Sequence, residues 1–258
     1  MKRLTTVAKQ LLRRWGYDIV ARGTEKELPV DFDERDTQII RAVQPYTMTG
    51  PERLYALIKA VEYVVNNRVE GAIVECGVWK GGSMMAVALT LARLNSHRHL
   101  YLFDTYEGMT RPGEHDVSSW GKRASEAFEG LRINDGSSRW SNAPLEDVKT
   151  AMASTGYDSA FVHYVKGRVE DTIPREAPQA VSLLRLDTDW YESTRHELTH
   201  LFPRLACGGV LIVDDYGHWL GARKAVDEYV AHEKLCILLN RIDYTGRIGV
   251  KLHPLAAP

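Results

Sequence analysis

Four aspartates stand in two pairs, and each pair comes where a predicted buried strand ends. Asp187 and Asp189 follow one such strand, and Asp214 and Asp215 follow another. Ligands of an open α/β sheet bind outside the carboxyl ends of its strands, so two neighbouring strand ends would bring these carboxylates into one crevice. Their repulsion requires a cation or a protonated carboxyl group. Oxygen ligands of this kind favour Mg²⁺, with Mn²⁺ or Ca²⁺ as alternatives, over Zn²⁺.

Each aspartate taken alone has a more ordinary interpretation as a helix cap. Asp189 precedes a predicted helix near Ser193, and Asp215 precedes one that begins at His218. It is the paired arrangement that favours a ligand site. His218 lies three residues beyond Asp215, so among the histidines it is the one that we expect to contact an acceptor or to take part in catalysis.

A glycine-rich turn, ECGVWKGGS, follows the first predicted strand. Glu75 precedes its first glycine, Gly77, and Ser83 opens the next predicted helix. Such a turn lets a cofactor approach the backbone, and the helix start behind it suits a carboxylate; a simple packing turn is the alternative. The spacing matches neither the dinucleotide fingerprint nor a phosphate loop, which disfavours a dehydrogenase or a kinase. Asp104 ends the second strand, where this kind of fold places an acid on a ribose diol.

The elements that must position these residues alternate between strands and helices. Apolar residues at helical spacing predict a helix from Pro51. The further predictions are strands over 71–76, 99–104, 161–165, 180–187 and 209–215, helices over 83–94, 193–205 and 218–232, and two β-rich runs, 236–240 and 247–252, forming an antiparallel hairpin. This order predicts an α/β fold with a doubly wound, mostly parallel sheet of seven strands.

Composition sets the broad class of the protein. Its 258 residues include 33 Lys and Arg against 34 Asp and Glu, so no strong field would attract nucleic acid or an anionic membrane. Three scattered cysteines indicate a reducing compartment, and no segment resembles a signal peptide or a membrane span. We therefore expect a cytoplasmic enzyme with a small-molecule partner.

The predicted domain division separates an N-terminal helical extension, residues 1–50, from one large domain, residues 51–258. Residues 1–17 alternate basic and apolar side chains, which predicts an amphipathic helix used for packing or for assembly into a homo-oligomer, with contact to a membrane surface as the lesser alternative. The polar segment 106–140 interrupts the rhythm of the large domain. We interpret it as a lid over the site, although a surface excursion is equally compatible with its composition.

Five motifs of this chain together resemble the macrocin O-methyltransferase family, over nearly all of residues 46–252. The motifs are TMTG at 47–50 with Arg53, ECGVWKGGS at 75–83, FDTYEGM at 103–109, LDTDWY at 186–191 and VDDY at 213–216. Catechol O-methyltransferases have a similar glycine turn and strand-end aspartates. In those enzymes a lysine stands where this chain has Trp190, which favours the macrocin family.

The resemblance implies a class I methyltransferase (Rossmann-like) fold and S-adenosylmethionine as the methyl donor. It makes Asp187, Asp214 and Asp215 ligands of a divalent metal, and Asp189 the general base. It further implies that the cofactor is contacted by Thr47, Met48, Glu75, Gly77, Ser83, Asp104, Val169, Glu170 and Asp187. Glu170 has an alternative interpretation as an ordinary first-turn residue of a helix.

The expected reaction is methyl transfer to a hydroxyl group. A divalent ion that binds the acceptor oxygen lowers the pKa of the hydroxyl and orients it, and a neighbouring carboxylate removes the proton. A sugar of a natural product is the first expected acceptor, followed by a polysaccharide sugar and a phenol. A non-catalytic scaffold with a methyltransferase-like fold is the remaining alternative; the clustered negative charge argues against it.

Overall fold

The computed structural model describes residues 28–252, and within them the chain forms one seven-stranded sheet. The strands are β1 (Ala72–Cys76), β2 (Leu100–Asp104), β3 (Val162–Lys166), β4 (Val181–Leu186), β5 (Leu205–Val213), β6 (Asn240–Arg241) and β7 (Arg247–Val250). Their order is β3-β2-β1-β4-β5-β7-β6. Strands β1 to β5 are parallel, and β7 is antiparallel to both β5 and β6. The predicted doubly wound, mostly parallel sheet with a C-terminal antiparallel hairpin is confirmed.

Helices precede, connect and follow the parallel strands. They are α1 (Glu34–Val43), α2 (Pro51–Asn66), α3 (Gly82–Arg93), α4 (Ala124–Leu131), α5 (Leu145–Ala153), α6 (Val169–Thr172), α7 (Tyr191–Leu201) and α8 (Leu220–His232). Pro51 occupies the first turn of α2, where its missing N–H costs nothing. The apolar stripe of α2, which includes Leu54, Leu57 and Val61, is buried and packs toward β4 and β5.

The strand register sets the position of the site. Cys76 of β1 lies opposite Phe103 of β2 and opposite Leu186 of β4, and Leu186 in turn lies opposite Val213 of β5. The next residue on each strand therefore reaches the same edge of the sheet; these residues are Gly77, Asp104, Asp187 and Asp214. The strand order reverses between β1 and β4, which is where a doubly wound sheet opens its ligand crevice.

The predicted hairpin strand over 236–240 is wrong in extent, because β6 covers only Asn240–Arg241. Ile237 and Leu239 pack against the core, while Leu238 is 82% exposed. The alternating apolar residues of this run therefore reflect an extended segment that packs on the core without pairing with another strand. Hydrogen bonding to β7 begins only at Asn240. Smaller differences concern element ends. The helix predicted over 193–205 is α7, Tyr191–Leu201, because Pro203 stands in a short 3-10 turn before β5 begins at Leu205 instead of residue 209. Helix α8 begins at Leu220 instead of His218.

Two predictions concern the N-terminal part of the chain. The amphipathic helix over 1–17 lies outside the described residues, and the homo-oligomer predicted with it stays a prediction. The compact unit that contains the sheet begins at Glu34, so it includes α1; the proposed division at residue 50 also stays a prediction. Over residues 28–252, none of the helices combines the length and apolarity needed to cross a bilayer.

Candidate active site

A cavity of about 340 Å³ opens at the carboxyl ends of the parallel strands. It brings together nearly all of the residues that the sequence singled out. Those on its wall are Thr47, Met48, Gly77, Ser83, Asp104, Val169, Glu170, Asp187, Asp189, Asp214, Asp215 and His218. Glu75 is the exception: it is buried on β1, two residues before Gly77, and does not line the cavity.

The loops that leave the strands are strained at this edge of the sheet. Trp79, Tyr106 and Asp189 follow β1, β2 and β4, and each has a positive φ, between 48° and 68°. Residues other than glycine adopt this region at a cost, and such strain is found preferentially at functional sites. The three loops thus share a feature that favours a ligand-binding role for this edge.

Gly77 allows β1 and β4 to approach each other where they end. Its φ is 84°, and its backbone N–H donates to the Phe103 carbonyl of β2. A Cβ at this position would lie 2.0 Å from the carbonyl oxygen of Asp187, far inside van der Waals contact. Only glycine fits both the dihedral angle and the space.

Asp104 holds the glycine turn in place. One carboxylate oxygen accepts from the backbone N–H groups of Val78 (2.7 Å) and Trp79 (2.9 Å), and the other accepts from the N–H of Tyr106 (2.7 Å). Burial raises the pKa of Asp104, and these three hydrogen bonds oppose that rise. The structure thus gives Asp104 an anchoring role in the loop, and its predicted contact with a ribose stays a prediction.

Glu75 and Arg185 form a buried ion pair across β1 and β4. The two residues are register partners, and Arg185 Nη1 lies 2.5 Å from Glu75 Oε1. The second carboxylate oxygen of Glu75 has no hydrogen-bond partner among the described residues. Burial raises the pKa of Glu75 to about 7, although the Arg185 charge opposes this. One polar atom beneath the cavity is therefore left for a ligand or a proton.

Arg185 also reaches the aspartate cluster. Its Nη1 lies 2.6 Å from Asp187 Oδ2, and its Nη2 lies 2.5 Å from Asp214 Oδ1 and 3.1 Å from the Thr49 hydroxyl oxygen. Arg53 contacts Asp214 from the other side. Two guanidinium groups therefore compensate part of the negative charge that the sequence placed at this strand edge.

Arg185 was not expected at the site, and Arg53 was expected only as part of the TMTG motif, without a role. A signal for Arg185 was present, because one charged residue interrupts each of two apolar strands, Glu75 in AIVEC and Arg185 in VSLLRL. Charged groups buried in strands are nearly always paired, so these two residues could have been matched. Arg53 lies in the first turn of α2, where its side chain is only 13% exposed, and no interrupted apolar pattern marked it.

Three carboxylates form a group suited to a metal ion. One oxygen each from Asp187, Asp214 and Asp215 lies within 4.8 Å of the others. Asp215 Oδ2 is buried and has no hydrogen-bond partner among the described residues. Burial raises the pKa of Asp215, and the neighbouring Asp189 and Asp214 carboxylates raise it further. The cluster is therefore unfavourable as a set of charges unless a cation or a proton joins it.

Asp189 stands beside this cluster, on the loop that follows β4. Burial raises its pKa to about 7, a hydrogen bond with Asp215 opposes the rise, and the charges of Asp187 and Asp214 add to it. It precedes α7, as the capping interpretation requires, but the N-cap of that helix is Trp190 and makes no side-chain cap. The ordinary role as a helix cap is therefore not what Asp189 performs.

His218 lies on the wall of the cavity beyond Asp215. Its Nδ1 is 3.3 Å from the hydroxyl oxygen of Tyr244, and its backbone N–H donates to the Asp215 carbonyl at 3.0 Å. Burial lowers the pKa of His218, and the positive charge of Arg53 lowers it further. The imidazole is therefore neutral near pH 7, so it can donate or accept a hydrogen bond.

Two further residues predicted to contact the cofactor, Val169 and Glu170, open helix α6. Val169 is buried and Glu170 is partly buried, and both line the cavity. Glu170 stands in the first turn of α6 and pairs with Arg168 at 3.3 Å. The helix-start interpretation of Glu170 is thus compatible with the structure, and the predicted cofactor contact stays a prediction.

Comparisons with known proteins identify the family. A family model described as Macrocin-O-methyltransferase (TylF) matches residues 4–249. The demethyldecarbamoylnovobiocin O-methyltransferase of Streptomyces niveus is 32% identical over 244 residues, which cover 88% of each chain. The 8-demethyl-8-(2,3-dimethoxy-alpha-L-rhamnosyl)-tetracenomycin-C 4'-O-methyltransferase of Streptomyces olivaceus is 33% identical over 202 residues, covering 78% of this chain and 74% of that one.

The fold also matches a solved relative. The structure of the O-methyltransferase NovP superimposes with a TM-score of 0.70 at 30% identity, covering 81% of this chain and 83% of that chain. The predicted class I methyltransferase fold is confirmed by this likeness together with the strand order.

Proposed function

Because this chain belongs to the macrocin O-methyltransferase (TylF) family and is an S-adenosylmethionine-dependent O-methyltransferase, we propose that it methylates a sugar hydroxyl of a glycosylated natural product. The observation that carries the proposal is the single cavity that joins the glycine turn to the aspartate cluster. A polysaccharide sugar or a phenol are the other acceptors compatible with such a site. The names of the two relatives, which refer to novobiocin and tetracenomycin compounds, favour the natural product.

The residues around the glycine turn fit the methyl donor. Helix α3 begins at Gly82 behind an N-cap glycine that offers no side-chain hydrogen bond, so its first N–H groups are free to bind a carboxylate. The unpartnered Oε2 of Glu75 suits an amino group beneath the same turn. S-adenosylmethionine supplies an electrophilic methyl group when it is bound. The task of the chain is to hold the acceptor hydroxyl in line with that group.

The aspartate cluster fits a divalent cation. Three carboxylate oxygens lie within 4.8 Å of one another, one Asp215 oxygen is unpartnered, and such hard oxygen ligands suit Mg²⁺, Mn²⁺ or Ca²⁺. A cation bound there supplies a Lewis acid that lowers the pKa of an acceptor hydroxyl. Arg185 keeps Asp187 and Asp214 oriented, because it donates to both of them and to Glu75.

Asp189 is the group that we assign to proton removal. It lies on the loop after β4 with a φ of 68°, beside the cluster and on the wall of the cavity. A carboxylate there can accept the hydroxyl proton as the new bond forms. His218 lies on the same wall and contacts the acceptor in this scheme, where its neutral ring fixes a second hydroxyl by a hydrogen bond.

The test compares Asp189→Asn with Asp158→Asn. Asp158 is exposed and caps a short turn just before β3, so it lies at the amino end of that strand, whereas the cavity lies at the carboxyl ends. Asparagine caps such a turn as well as aspartate does. Calorimetry should give micromolar binding of S-adenosylhomocysteine to the wild type and to both variants. Methyl transfer to 4-nitrophenyl α-L-rhamnoside should fall at least 100-fold in Asp189→Asn alone, which is the lower end of the effect of a general base (roughly 10²–10⁴-fold).

Two results would contradict the proposal. Failure of the wild type to bind S-adenosylhomocysteine would overturn methyl transfer altogether and favour the scaffold alternative. Full activity of Asp189→Asn would leave the methyl transfer standing but remove the assignment of Asp189 as the base.

A further inference from the structure

The cavity is too small to enclose both substrates completely. Its volume of about 340 Å³ lies near the lower end of the roughly 300–1,000 Å³ of pockets that hold one drug-sized ligand. In the proposed function, the methyl donor takes the part of this space next to the glycine turn. Most of a large acceptor must therefore lie outside, and the residues at the mouth of the cavity decide what it contacts.

Two large aromatic side chains are exposed at this mouth. Tyr244 lines the cavity and is 54% exposed, and Trp120 is 69% exposed. The Trp120 ring lies 5.2 Å from the ring of His218, edge to face, and 6.3 Å from the ring of Tyr244, at an interplanar angle of 31°. We call Trp120, His218 and Tyr244 the aromatic rim. Its apolar faces are open to solvent although they border a ligand cavity.

Trp120 is held in this position by its backbone surroundings. It stands on a tight turn in which the Gly121 N–H donates to the Ser118 carbonyl at 2.9 Å. The N–H of Ser119 donates to the His218 carbonyl at 2.7 Å, and Ser118 forms a β-bridge with Trp219. The residues just before Trp120 are thereby attached to the wall of the cavity. An aromatic face fixed in advance loses little entropy when a ligand stacks on it.

We infer that the aromatic rim binds the aglycone of the acceptor, a flat or apolar ring system attached to the sugar that carries the reacting hydroxyl. The inference rests on the proposed function and adds to it the residues of this chain that contact the aglycone and so decide which acceptors are accepted. Aromatic side chains suit this role because they offer a large apolar face together with a preferred stacking geometry.

A sugar nucleotide is the competing acceptor. Lys122 and Arg123 follow Trp120 within three residues, and their positive charges could attract a diphosphate. The rim itself argues for the aglycone, because its exposed surface consists of aromatic rings and its histidine lies edge to face against Trp120. The experiment must separate the two acceptors.

The test uses matched 4-nitrophenyl and methyl glycosides of rhamnose, fucose and xylose, together with TDP-rhamnose. Trp120→Ala and Tyr244→Leu should each lower kcat/KM for the nitrophenyl glycosides by about three- to tenfold, the value of one aromatic contact. In Trp120→Ala, kcat/KM for the methyl glycosides should change less than twofold, and binding of S-adenosylhomocysteine should not change. Trp120→Phe should recover most of the loss. Tyr63→Leu, which removes an exposed tyrosine packed near Gly208 at the other end of β5, is the matched control.

Binding supplies a readout that does not depend on turnover. Saturation-transfer NMR with protein loaded with S-adenosylhomocysteine should detect the nitrophenyl protons in the wild type and lose them in Trp120→Ala. An equal decrease in kcat/KM for the nitrophenyl and the methyl glycosides in Trp120→Ala would overturn the inference, because Trp120 would then only order the segment on which it stands. A higher kcat/KM for TDP-rhamnose than for the nitrophenyl glycosides would also overturn it. So would a wild type that binds S-adenosylhomocysteine but no nitrophenyl glycoside. In both cases, retained binding of S-adenosylhomocysteine would leave the proposed function standing.

Discussion

Glu75 shows how a single buried residue can serve two purposes in this protein. Its Oε1 pairs with Arg185, whereas its Oε2 is unpartnered among the described residues. A carboxylate that is only half satisfied in a buried place is costly, and proteins keep such groups mainly where a ligand completes them. The unpartnered oxygen thus supports the proposed role of Glu75 at the amino end of the methyl donor.

The same residue gives a prediction for the pH dependence of stability in the ligand-free protein. Burial raises the pKa of Glu75 to about 7 from its usual 4.5, so between these values the folded state holds a proton that the unfolded state releases. The contribution of Glu75 to the free energy of unfolding is therefore fully present below pH 4.5, and it is lost as the pH rises through about 7. The free energy of unfolding of the wild type relative to Glu75→Gln should fall by about 2–3 kcal/mol between pH 4 and 8.

Urea denaturation at several pH values would measure this difference. Glutamine keeps the shape and one acceptor oxygen for Arg185 but does not titrate, so the difference isolates the charge of Glu75. A difference that stays constant across the range would mean that Arg185 holds Glu75 ionised in the folded protein at all of these pH values.

At the scale of elements, the site depends on how closely β1 and β4 approach each other. Gly77→Ala places a methyl group 2.0 Å from the Asp187 carbonyl oxygen, so either the glycine turn or the start of the Asp187–Asp189 loop must move. We expect loss of micromolar S-adenosylhomocysteine binding and a decrease of about 3 kcal/mol or more in unfolding free energy. Calorimetry and denaturation would measure the two effects.

Gly156→Ala is the control for this change. Gly156 has a comparable positive φ of 72°, but a Cβ there meets no atom within 4 Å. Gly156→Ala should lower the free energy of unfolding by only about 1–2 kcal/mol, which is the cost of a left-handed backbone conformation, and S-adenosylhomocysteine should bind as it does to the wild type. Similar losses in both variants would show that the backbone angle, and not the approach of the two strands, is what matters at Gly77.

Asp116 fixes the segment 106–140, which we propose as a lid, to the start of α7. This buried residue accepts from the Tyr191 N–H at the start of α7 (2.8 Å) and from the Gly113 N–H (2.7 Å), and Gly221 of α8 leaves room for its carboxylate. Asp116→Ala should therefore speed amide hydrogen exchange across residues 106–140 and raise the KM of the acceptor about tenfold, with little change in S-adenosylhomocysteine binding.

Asp116→Asn is the matched variant for the lid. Its amide keeps one acceptor oxygen, so it should exchange at a rate between those of the wild type and Asp116→Ala. Unchanged exchange in Asp116→Ala would mean that the backbone bonds of the lid, such as Leu220 N–H to the Val117 carbonyl, hold it without the carboxylate.

At the scale of the whole molecule, the sequence predicted the sheet and the strand-end residues because both follow from local patterns. Apolar runs and glycine turns indicate strands and their ends, and a parallel sheet then brings Asp104, Asp187 and Asp214 to one edge. The partners of these residues were harder to predict. Arg53 contacts Asp214, which is 161 positions away in the sequence. Tyr244 and Trp120 of the aromatic rim are likewise distant in the sequence and are brought together by the fold. Contacts of this kind depend on tertiary packing, which a single sequence does not encode locally.

The charge of the whole site predicts a response to divalent cations. Asp187, Asp214 and Asp215 remain repulsive despite Arg53 and Arg185, so a bound cation should stabilise the folded protein. At one hundred times its dissociation constant, a ligand contributes about 2.7 kcal/mol. For a protein of this size this corresponds to a rise in Tm of about 5–10 °C. Scanning calorimetry with MgCl₂, MnCl₂ or CaCl₂, against NaCl of equal ionic strength, measures the effect. Asp215→Asn should abolish it and Asp158→Asn should retain it; an equal rise in both variants would place the cation elsewhere on the protein.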